Sequence, residues 1–406
     1  MKKRLLALTM ALAMTGALAA CGGGNNAPAA DNKASDAAPV DAGDKEAADA
    51  DNTATGDTIK IGALAPLTGD ASIYGIAASN GSKLYIDQLN ANGGINGKQV
   101  EYILQDEKGD PIEAVNAYNL LVENNHVSAV LGDVTSTPSI AVAKLAGSAG
   151  MPMISPTGTA AEITQQGDSV FRACFLDPFQ GKILGDFAAQ ELKVKTVAVL
   201  YDNGNEYSTG LMQAFVESAE ANGLQVIATE SYATNDIDFR SQLGNIKNTN
   251  AEAVFIPDYY NTTVLVASQA REIGLDAPLL GADGWDGVLD VVDQGDVASL
   301  NNCFFTNHYS PQDEDPKVQQ FLTDYREAYN MEPNSFSALG YDAAMILCAA
   351  LEQAGPDDAA AIVEAIQATD LSGVTGKISF DENGDPVKNV SIITIENGEY
   401  MLYKKM

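Results

Sequence analysis

Histidine, tryptophan and basic residues are scarce in this sequence. Its 406 residues include two histidines, His126 and His308, and one tryptophan, Trp285. Two histidines provide few of the side chains that a zinc site or a histidine-based catalytic triad needs. Lys and Arg number 23 against 55 Asp and Glu, so the net charge is −32. Because nucleic-acid binding needs clustered basic side chains, nucleic acid is excluded as a partner.

Cysteine is also sparse, and the four cysteines follow no redox or metal-binding pattern. No CxxC spacing occurs, and we expect neither a bound metal nor another cofactor. Beyond Cys21, the chain has Cys174, Cys303 and Cys348, which allow at most one disulfide. Buried free thiols are equally compatible with that number.

The first residues have the pattern of an export signal. Lys2, Lys3 and Arg4 precede an apolar run, and Leu18-Ala19-Ala20-Cys21 follows it with the form of a lipobox. The apolar run is shorter than the about 20 residues of a membrane span. We therefore predict a signal peptide at residues 1–20 and a diacylglyceryl thioether on Cys21. Such lipid would anchor the exported protein firmly to the outer face of the cytoplasmic membrane, at the cell surface or in the periplasm.

Residues 21–57 contain the lipidated cysteine and an acidic tether. Eight Asp and Glu accompany Lys33 and Lys45 there, and Val40 is the only sizeable aliphatic residue. A segment of this composition cannot bury enough apolar surface to offset the entropy of ordering, so we predict a disordered spacer. As a loose coil it would reach roughly 30–36 Å from the membrane.

Short apolar strands alternate with helical patterns from residue 58 onward. One series runs from a strand at 59–65 to a strand at 151–155, and a second runs from 197–201 to a final strand at 279–281. The alternation is typical of parallel sheets with helices on both faces. About 350 residues are also too many for one ordinary core. The predicted fold is therefore α/β, with two doubly wound parallel-sheet lobes.

The pattern changes to helices at 316–329, 336–352 and 359–368, and two hairpin signals follow at Asn383-Gly384 and Asn397-Gly398. We expect the helices to return to the first lobe and the last strand to join the second, which makes a multi-crossover hinge. Lobe 1 is then predicted at residues 58–176 plus 309–380, and lobe 2 at residues 177–308 plus 381–406.

Hydroxyl-rich loops follow two strands of the first series. Thr135 and Ser136 precede a helix, and Thr157, Gly158 and Thr159 follow the next strand. Open parallel sheets bind ligands beyond the carboxyl ends of their strands. Hydroxyl and backbone N–H groups near helix N-termini suit a carboxylate or a phosphate. N-capping alone is the alternative, because Ser and Thr are common caps.

The strand ends of the second series contain aromatic and acidic residues instead. Tyr207 and Tyr259 each follow a strand, and Asp283 and Trp285 follow the strand at 279–281. Tyr and Trp combine an apolar face with one polar group, and Asp283 is suited to accept hydrogen bonds from an ammonium group. A turn or cap role is the alternative for Asp283. Hydroxyl loops on one lobe and a carboxylate on the other would match the two ends of an α-amino acid.

Short motifs throughout this region carry a family resemblance. They are Ile59-Lys60-Ile61-Gly62, Pro66-Leu67-Thr68-Gly69, Tyr74-Gly75, Asn92-Gly93-Gly94-Ile95-Asn96-Gly97, Asp110-Pro111 with Ala114, Ile154-Ser155-Pro156-Thr157-Gly158-Thr159, and Tyr341-Asp342-Ala343. With them the sequence, from about residue 59 to its C-terminus, resembles the branched-chain amino-acid (Leu/Ile/Val) binding proteins. These are receptors of ABC transporters with the type I periplasmic-binding fold.

The resemblance implies roles for the strand-end residues. Ser136 and Thr159 would hold the ligand carboxylate, assisted by the backbone at Thr135 and Thr157. Asp283 falls where the family places the acidic partner of the ligand ammonium, usually Glu, and the shorter Asp needs a closer approach or a water.

Two further features follow from the resemblance. Tyr74, Tyr207 and Tyr259 would line the cleft. Gly109 and Thr135 occupy the places where the family's first-domain disulfide would be expected, so that disulfide is predicted to be absent.

The sequence favours a receptor over an enzyme. It contains no GxSxG, no HExxH and no paired-histidine site that would indicate an exported hydrolase. The predicted function is an extracytoplasmic lipoprotein that closes on an amino acid, with Leu, Ile or Val favoured, and delivers it to ABC permease subunits. A same-fold receptor for another small amino acid, an amide or an aromatic acid is an alternative. A ligand sensor for a membrane signalling partner is another.

Overall fold

The computed structural model describes residues 58–406. The predicted signal peptide, the lipidated Cys21 and the acidic tether therefore lie outside the described residues. Within the described part, strands and helices alternate, and the strands form two large sheets and one small hairpin. This arrangement confirms the predicted α/β class with two parallel-sheet lobes.

The first sheet is parallel throughout. Its five strands are β1 (Ile59–Ala65), β2 (Val100–Asp106), β3 (Ala129–Leu131), β4 (Met153–Ser155) and β5 (Val170–Arg172). They lie in the order β2-β1-β3-β4-β5. The three short strands β3, β4 and β5 are buried along their whole length, as expected for parallel strands covered on both faces.

The remaining strands form the second sheet and the small hairpin. They are β6 (Thr196–Asp202), β7 (Gln225–Tyr232), β8 (Ala253–Phe255), β9 (Leu279–Gly281), β10 (Cys303–Asn307), β11 (Asp370–Gly373), β12 (Gly376–Ser379), β13 (Ser391–Glu396) and β14 (Glu399–Lys405). The second sheet has the order β14-β13-β10-β9-β8-β6-β7, and β11 pairs with β12 alone. Strands β13 and β14 join antiparallel to the parallel part, and the predicted turn at Asn397-Gly398 connects them.

Helices connect and cover the strands. They are α1 (Ser72–Ala91), α2 (Pro111–Asn119), α3 (Ser136–Ala149), α4 (Asp177–Gln190), α5 (Glu206–Ala221), α6 (Arg240–Thr249), α7 (Tyr260–Glu272), α8 (Val288–Val291), α9 (Pro316–Tyr329), α10 (Ser335–Ala354) and α11 (Ala359–Gln367). After α2 the chain continues in a π-helical turn, Leu120–Asn124.

The chain passes between the two sheets three times. The first connection lies between β5 and α4, and the second follows β10. The late helices then pack on the first sheet, where Ser82 of α1 donates a hydrogen bond to the carbonyl of Gly340 in α10 at 2.9 Å. The third connection runs from β12 to β13. These three connections are the crossovers predicted between the two lobes, and we refer to them together as the hinge region.

Several elements were not predicted from the sequence. Strand β5 and helix α4 fall in a stretch for which no element was predicted, and 279–281 is not the last strand of the second series because β10 follows it. Helix α4 contains Gly181 and Gly185, which lower helix propensity. A Cβ atom at Gly181 would lie 2.5 Å from Ala214 of α5, so close helix packing explains the glycine.

The three described cysteines are free and buried. Burial raises the pKa of Cys174, Cys303 and Cys348 to about 12. The sequence allowed either one disulfide or buried free thiols among these cysteines, and the second possibility is therefore correct. Among residues 58–406, α10 is long and apolar enough to cross a membrane, but 78% of its most apolar stretch is buried against other elements.

Candidate functional site

A small cavity lies where the carboxyl ends of strands from both sheets face each other. Its free volume is about 10 Å³, which is about the space of one water molecule. The residues lining the cavity are Val134, Thr135, Ser136, Thr157, Thr159, Tyr207, Tyr259, Asp283, Gly284 and Phe336. The structure therefore brings seven of the predicted site residues together, which are Thr135, Ser136, Thr157, Thr159, Tyr207, Tyr259 and Asp283.

The hydroxyl loops of the first sheet form one wall. The Thr157 hydroxyl donates to the carbonyl of Val134 at 2.6 Å, and the Ala160 N–H donates to the Ser136 hydroxyl at 3.2 Å. These bonds tie the loop after β4 to the loop that leads into α3. Thr135 occupies the N-cap position of α3 but makes no side-chain capping bond. Capping alone therefore does not explain its hydroxyl.

Asp283 lies in the opposite wall, and other side chains hold it firmly. Its Oδ1 accepts hydrogen bonds from Gln180 Nε2 and from the Tyr207 hydroxyl, both at 2.9 Å. The backbone N–H of Asp283 donates to Gln180 Oε1 at 3.0 Å. Thr306 in β10 also donates to Gln180 Oε1, at 2.6 Å, so the amide orientation is fixed. The carboxylate of Asp283 is thus fixed before any ligand reaches it.

His308 contacts the second oxygen of this carboxylate. Its Nε2 lies 3.2 Å from Asp283 Oδ2, and the ring is fully buried. Burial lowers the pKa of His308, although Asp283 opposes the shift. The imidazole is therefore neutral over most of the physiological range.

A second acidic side chain, Asp177 at the start of α4, lies behind this wall. Its Oδ1 accepts from Gln180 Nε2 at 3.3 Å, and its Oδ2 has no partner within the described residues. Burial, followed by the nearby charge of Asp283, raises the pKa of Asp177 well above its ordinary value. The shift favours the neutral acid, which reduces repulsion between the two carboxyl groups.

Aromatic residues complete the cavity. Tyr74 stacks on Phe336 with ring centroids 4.0 Å apart, and Tyr207 stacks on Tyr259 at 4.8 Å. The Tyr74 hydroxyl donates to the carbonyl of Gly284 and accepts from the Tyr260 N–H at 3.0 Å. Tyr74 belongs to α1, on the first sheet, while its partners follow strands of the second. This contact therefore bridges the two halves of the molecule.

Three predicted site residues, Tyr74, Gly158 and Trp285, do not line the cavity. The fully buried Trp285 donates its indole N–H to the carbonyl of Ile256 at 2.9 Å. A Cβ atom at Gly281 would lie 2.2 Å from the Trp285 ring, so glycine is needed there for packing. A Cβ atom at Gly158 would lie 2.6 Å from Ile163. Trp285 therefore supports the wall from behind, and Gly158 shapes the hydroxyl loop.

Arg172, at the end of β5, holds the hydroxyl loop in place. The side chain is fully buried, and its Nη1 donates to the carbonyl of Gly158 at 2.8 Å. Its Nε forms an ion pair with Asp385 Oδ1 at 2.6 Å. Since Asp385 lies in the third connection between the sheets, Arg172 links that connection to the cavity wall.

Sequence reasoning missed Gln180, His308, Val134 and Phe336. Gln180 and His308 depend on α4 and β10, the two elements that were not predicted. His308 directly follows β10, so the rule that ligands bind beyond strand ends would have selected it once that strand was known. Val134 directly precedes the predicted site residue Thr135, but an apolar loop residue carries no chemical signal of its own.

The sequence model of the periplasmic binding protein family matches residues 58–399. A leucine-, isoleucine-, valine-, threonine- and alanine-binding protein of Pseudomonas aeruginosa is 32% identical over 347 residues, which cover 84% of this chain and 90% of that protein. The Leu/Ile/Val-binding protein BraC3 of Rhizobium johnstonii is 31% identical and covers 80% of this chain and 88% of its own length.

Solved structures give the same result. The substrate-binding protein LivJ of Streptococcus pneumoniae, in complex with isoleucine, is 34% identical with a TM-score of 0.80. The leucine-binding protein LivK of Thermotoga maritima is 33% identical with a TM-score of 0.81. Each match covers 86% of this chain and 99% of the other chain. A Rhodopseudomonas palustris solute-binding protein in complex with benzoate is 22% identical with a TM-score of 0.78, a likeness of fold alone.

Proposed function

The chain belongs to the periplasmic binding protein family, and from that membership we propose that it captures a branched-chain amino acid for an ABC transporter. As a member of this family it is a solute-binding protein and not an enzyme. Relatives named for binding Leu, Ile and Val support the ligand class. The proposal covers the identity of the ligand, the residues that contact it and its delivery to a permease.

One observation carries the proposal: hydroxyl groups and a fixed carboxylate line opposite walls of one small cavity. The ligand carboxylate would bind the hydroxyls of Ser136 and Thr159, with the backbone at Thr135 and Thr157 beside them. The ligand ammonium would bind Asp283. An α-amino acid presents these two charges from one carbon, so it can satisfy both walls at once.

The apolar part of the cavity suggests the side chain of the ligand. Val134 and Phe336 in the cavity wall offer hydrocarbon surface, and aliphatic side chains gain about 25 cal/mol per Å² buried on such surface. Leucine, isoleucine and valine fit this description. Another small amino acid, an amide or an aromatic acid remains the alternative ligand.

Capture would proceed by closure of two lobes about the hinge region. We propose lobe 1 at residues 58–176 plus 309–380 and lobe 2 at residues 177–308 plus 381–406. The bond from Tyr74 to Gly284 supports closure, because it would join the two lobes across the cavity. A ligand held between both walls would favour the closed arrangement over the open one.

Cys21 and the tether would keep this receptor near the membrane. The lipobox motif Leu18-Ala19-Ala20-Cys21 supports lipidation, and residues 22–57 would give the receptor reach. Permease subunits in the same membrane would accept the ligand from the closed form. Mass spectrometry of the mature N-terminus tests the lipid, and Cys21→Ala should release the protein from the membrane fraction.

Isothermal titration calorimetry of residues 57–406 tests the ligand, since residues 54–406 form one compact unit. We expect micromolar or tighter binding of Leu, Ile or Val, lost in Asp283→Ala and in Ser136→Ala. Asp290→Ala and Ser148→Ala are matched controls, because both side chains are exposed and lie outside the cavity. No heat with any aliphatic amino acid would refute the ligand assignment and leave the fold intact.

Uptake measurements separate a transport receptor from a sensor. Cells that lack the protein should lose high-affinity uptake of radiolabelled leucine, and the wild-type chain should restore it. Unchanged uptake together with a lost transcriptional response to leucine would favour the sensor.

A further inference from the structure

His308 lies where the candidate ammonium site meets the hinge region. It is the first residue after β10, at the start of the second connection between the sheets. Its ring stacks on Phe175, with centroids 3.6 Å apart and an angle of 21° between the planes. Phe175 belongs to the first connection, between β5 and α4. Two of the three connections therefore meet at this imidazole, and its Nε2 faces Asp283.

The contacts of the ring assign its protonation state. Nε2 lies 3.2 Å from Asp283 Oδ2, and a bare nitrogen lone pair there would repel the carboxylate, so Nε2 carries the proton. Nδ1 is buried and has no partner within the described residues. A proton on Nδ1 would create a buried donor without an acceptor, which is costly. The structure therefore favours the neutral imidazole with its proton on Nε2.

The charged groups that face the ring come from two parts of the chain. Asp283 and Asp286, both in the turn after β9, favour a charged imidazole, whereas Lys388 in the third connection disfavours it. Burial has a larger effect than any of these charges, and it also disfavours the charged form.

Hydrogen-bond capacity shows what His308 does for Asp283. A carboxylate offers about four acceptor positions. Gln180 and Tyr207 occupy two positions on Oδ1, and His308 occupies one on Oδ2. One position on Oδ2 is left beside the cavity. The direction in which this last position points depends on the imidazole. The two bonds to Oδ1 do not fix the orientation of Oδ2, so the bond from His308 to Oδ2 sets it.

We propose that His308 positions Asp283 for the ammonium group of the ligand, and that it does so as a neutral imidazole. This inference rests on the proposed function. His308 is a positioning residue, since it acts through Asp283 without lining the cavity. A second proton on His308 would place a positive charge next to the bound ammonium. Ligand binding and protonation of His308 therefore oppose each other, and affinity falls as the pH falls.

Calorimetry of residues 57–406 with leucine tests the role. His308→Phe keeps a flat ring against Phe175 but removes the donor, and we expect affinity at pH 7.5 to fall roughly tenfold, as for loss of a hydrogen bond to a charged group. His308→Gln keeps an N–H donor that does not titrate, so it should retain affinity near wild type. His126→Gln is the control, because His126 is exposed and precedes β3, whereas the cavity residues follow the other end of that strand.

Two readouts separate positioning from a merely structural role. In a double-mutant cycle, His308→Phe should change affinity little when Asp283 is already Asn, because its effect acts through that carboxylate. Between pH 7.5 and pH 5, the wild type should lose more affinity than His308→Gln. Unchanged leucine affinity in His308→Phe would overturn the inference alone, as would an equal loss in both Asp283 backgrounds or equal pH profiles. Failure of the wild type to bind any amino acid would overturn the proposed function, and this inference with it.

Discussion

Gln180 holds Asp283 at two points, with one hydrogen bond to the side chain and one to the backbone. Gln180 Nε2 donates to Asp283 Oδ1 at 2.9 Å, and Gln180 Oε1 accepts from the Asp283 N–H at 3.0 Å. Both side chains are buried, and they belong to segments more than one hundred residues apart. The carboxylate at the candidate ammonium site is therefore preorganised by α4 and does not depend on the ligand for its orientation.

Gln180→Leu should weaken ligand binding and reduce stability. The substitution removes both bonds to Asp283 and leaves the Thr306 hydroxyl without its acceptor. Unsatisfied buried polar groups cost about 1–3 kcal/mol each, so affinity should fall at least about tenfold. Calorimetry and urea denaturation measure the two effects. Gln190→Leu, at the exposed end of the same helix, should change neither quantity. Wild-type affinity in Gln180→Leu would show that Asp283 needs no such support.

Tyr74→Phe should weaken the closed arrangement and leave the ring packing in place. The ring still stacks on Phe336, but the carbonyl of Gly284 and the N–H of Tyr260 lose their hydroxyl partner. We expect ligand affinity to fall about five- to tenfold, in line with about 1–1.5 kcal/mol for a lost hydrogen bond.

Small-angle scattering with saturating ligand provides the structural readout for this variant. A larger radius of gyration than that of the wild type is expected, because the bond that bridges the halves is gone. Tyr403→Phe is the control, since Tyr403 is exposed. Equal radii and equal affinities in Tyr74→Phe and the wild type would contradict the role of this contact.

The architecture could be predicted from the sequence because hydrophobic periodicity is local. Strand β1 and helix α3, for example, have apolar runs that end at clear turn residues. Strand β5 has no such signal, since it is three residues long and contains a buried arginine. That arginine pairs with Asp385, which lies more than two hundred residues later. No local pattern contains that information.

Part of the candidate site could be predicted, because some of its residues have side chains whose chemistry indicates ligand binding. Ser136, Thr159 and Asp283 each have a polar side chain that can bind a charged group, and each lies in the segment that follows a strand. Gln180 and Phe336 lie within helices, where amide and aromatic side chains are common and usually have structural roles. Only the tertiary fold reveals that they face the cavity or its carboxylate. The same limit explains Trp285, whose chemistry suggested the site but whose ring packs behind it.

Glu107→Gln should reduce the amount of unfolding free energy that the protein loses at high pH. Glu107 and Asp133 follow β2 and β3, which lie on either side of β1 in the first sheet, and both side chains are buried. Burial raises the pKa of each carboxyl group, and the nearby charge of Asp133 raises the pKa of Glu107 further, whereas a hydrogen bond with Glu107 partly lowers the pKa of Asp133. Each carboxyl group therefore binds its proton more tightly in the folded chain than in the unfolded chain. The resulting stability is present below the unfolded pKa values of about 4 and is lost as the pH rises through the raised folded values.

Urea denaturation at pH 5 and pH 9 measures this effect. The wild type should lose about 1.4 kcal/mol or more of unfolding free energy over that interval. Glu107→Gln should lose less, because one of the two buried charges can no longer form. Glu123→Gln, at an exposed position, should follow the wild type. The hypothesis fails if Glu107→Gln and the wild type decline in parallel.

Arg172→Met should destabilise the protein far more than the matching change at an exposed arginine. Arg172 pairs with Asp385 in the interior, and its loss leaves that carboxylate without its positive partner, with only the Thr164 hydroxyl still donating to it at 3.1 Å. The carbonyl of Gly158 would keep only the Cys174 thiol as a donor, at 3.2 Å. Breaking one side of a buried pair costs about 3–5 kcal/mol. Arg240 pairs with Asp238 and Glu272 at the surface, where such pairs contribute about 0–1 kcal/mol. Arg240→Met is therefore the matched control.

The double variant Arg172→Met with Asp385→Leu separates the ion pair from the loop contact. Replacing a buried pair by apolar residues of similar volume is often neutral, so much of the lost unfolding free energy should return. Ligand affinity should not return with it, because the Gly158 carbonyl still lacks the donor that holds the hydroxyl loop beside Thr159. Urea denaturation measures the first quantity and calorimetry with leucine the second. Recovery of both would show that Arg172 supports only the fold, whereas recovery of stability alone would place it among the residues that position the cavity wall.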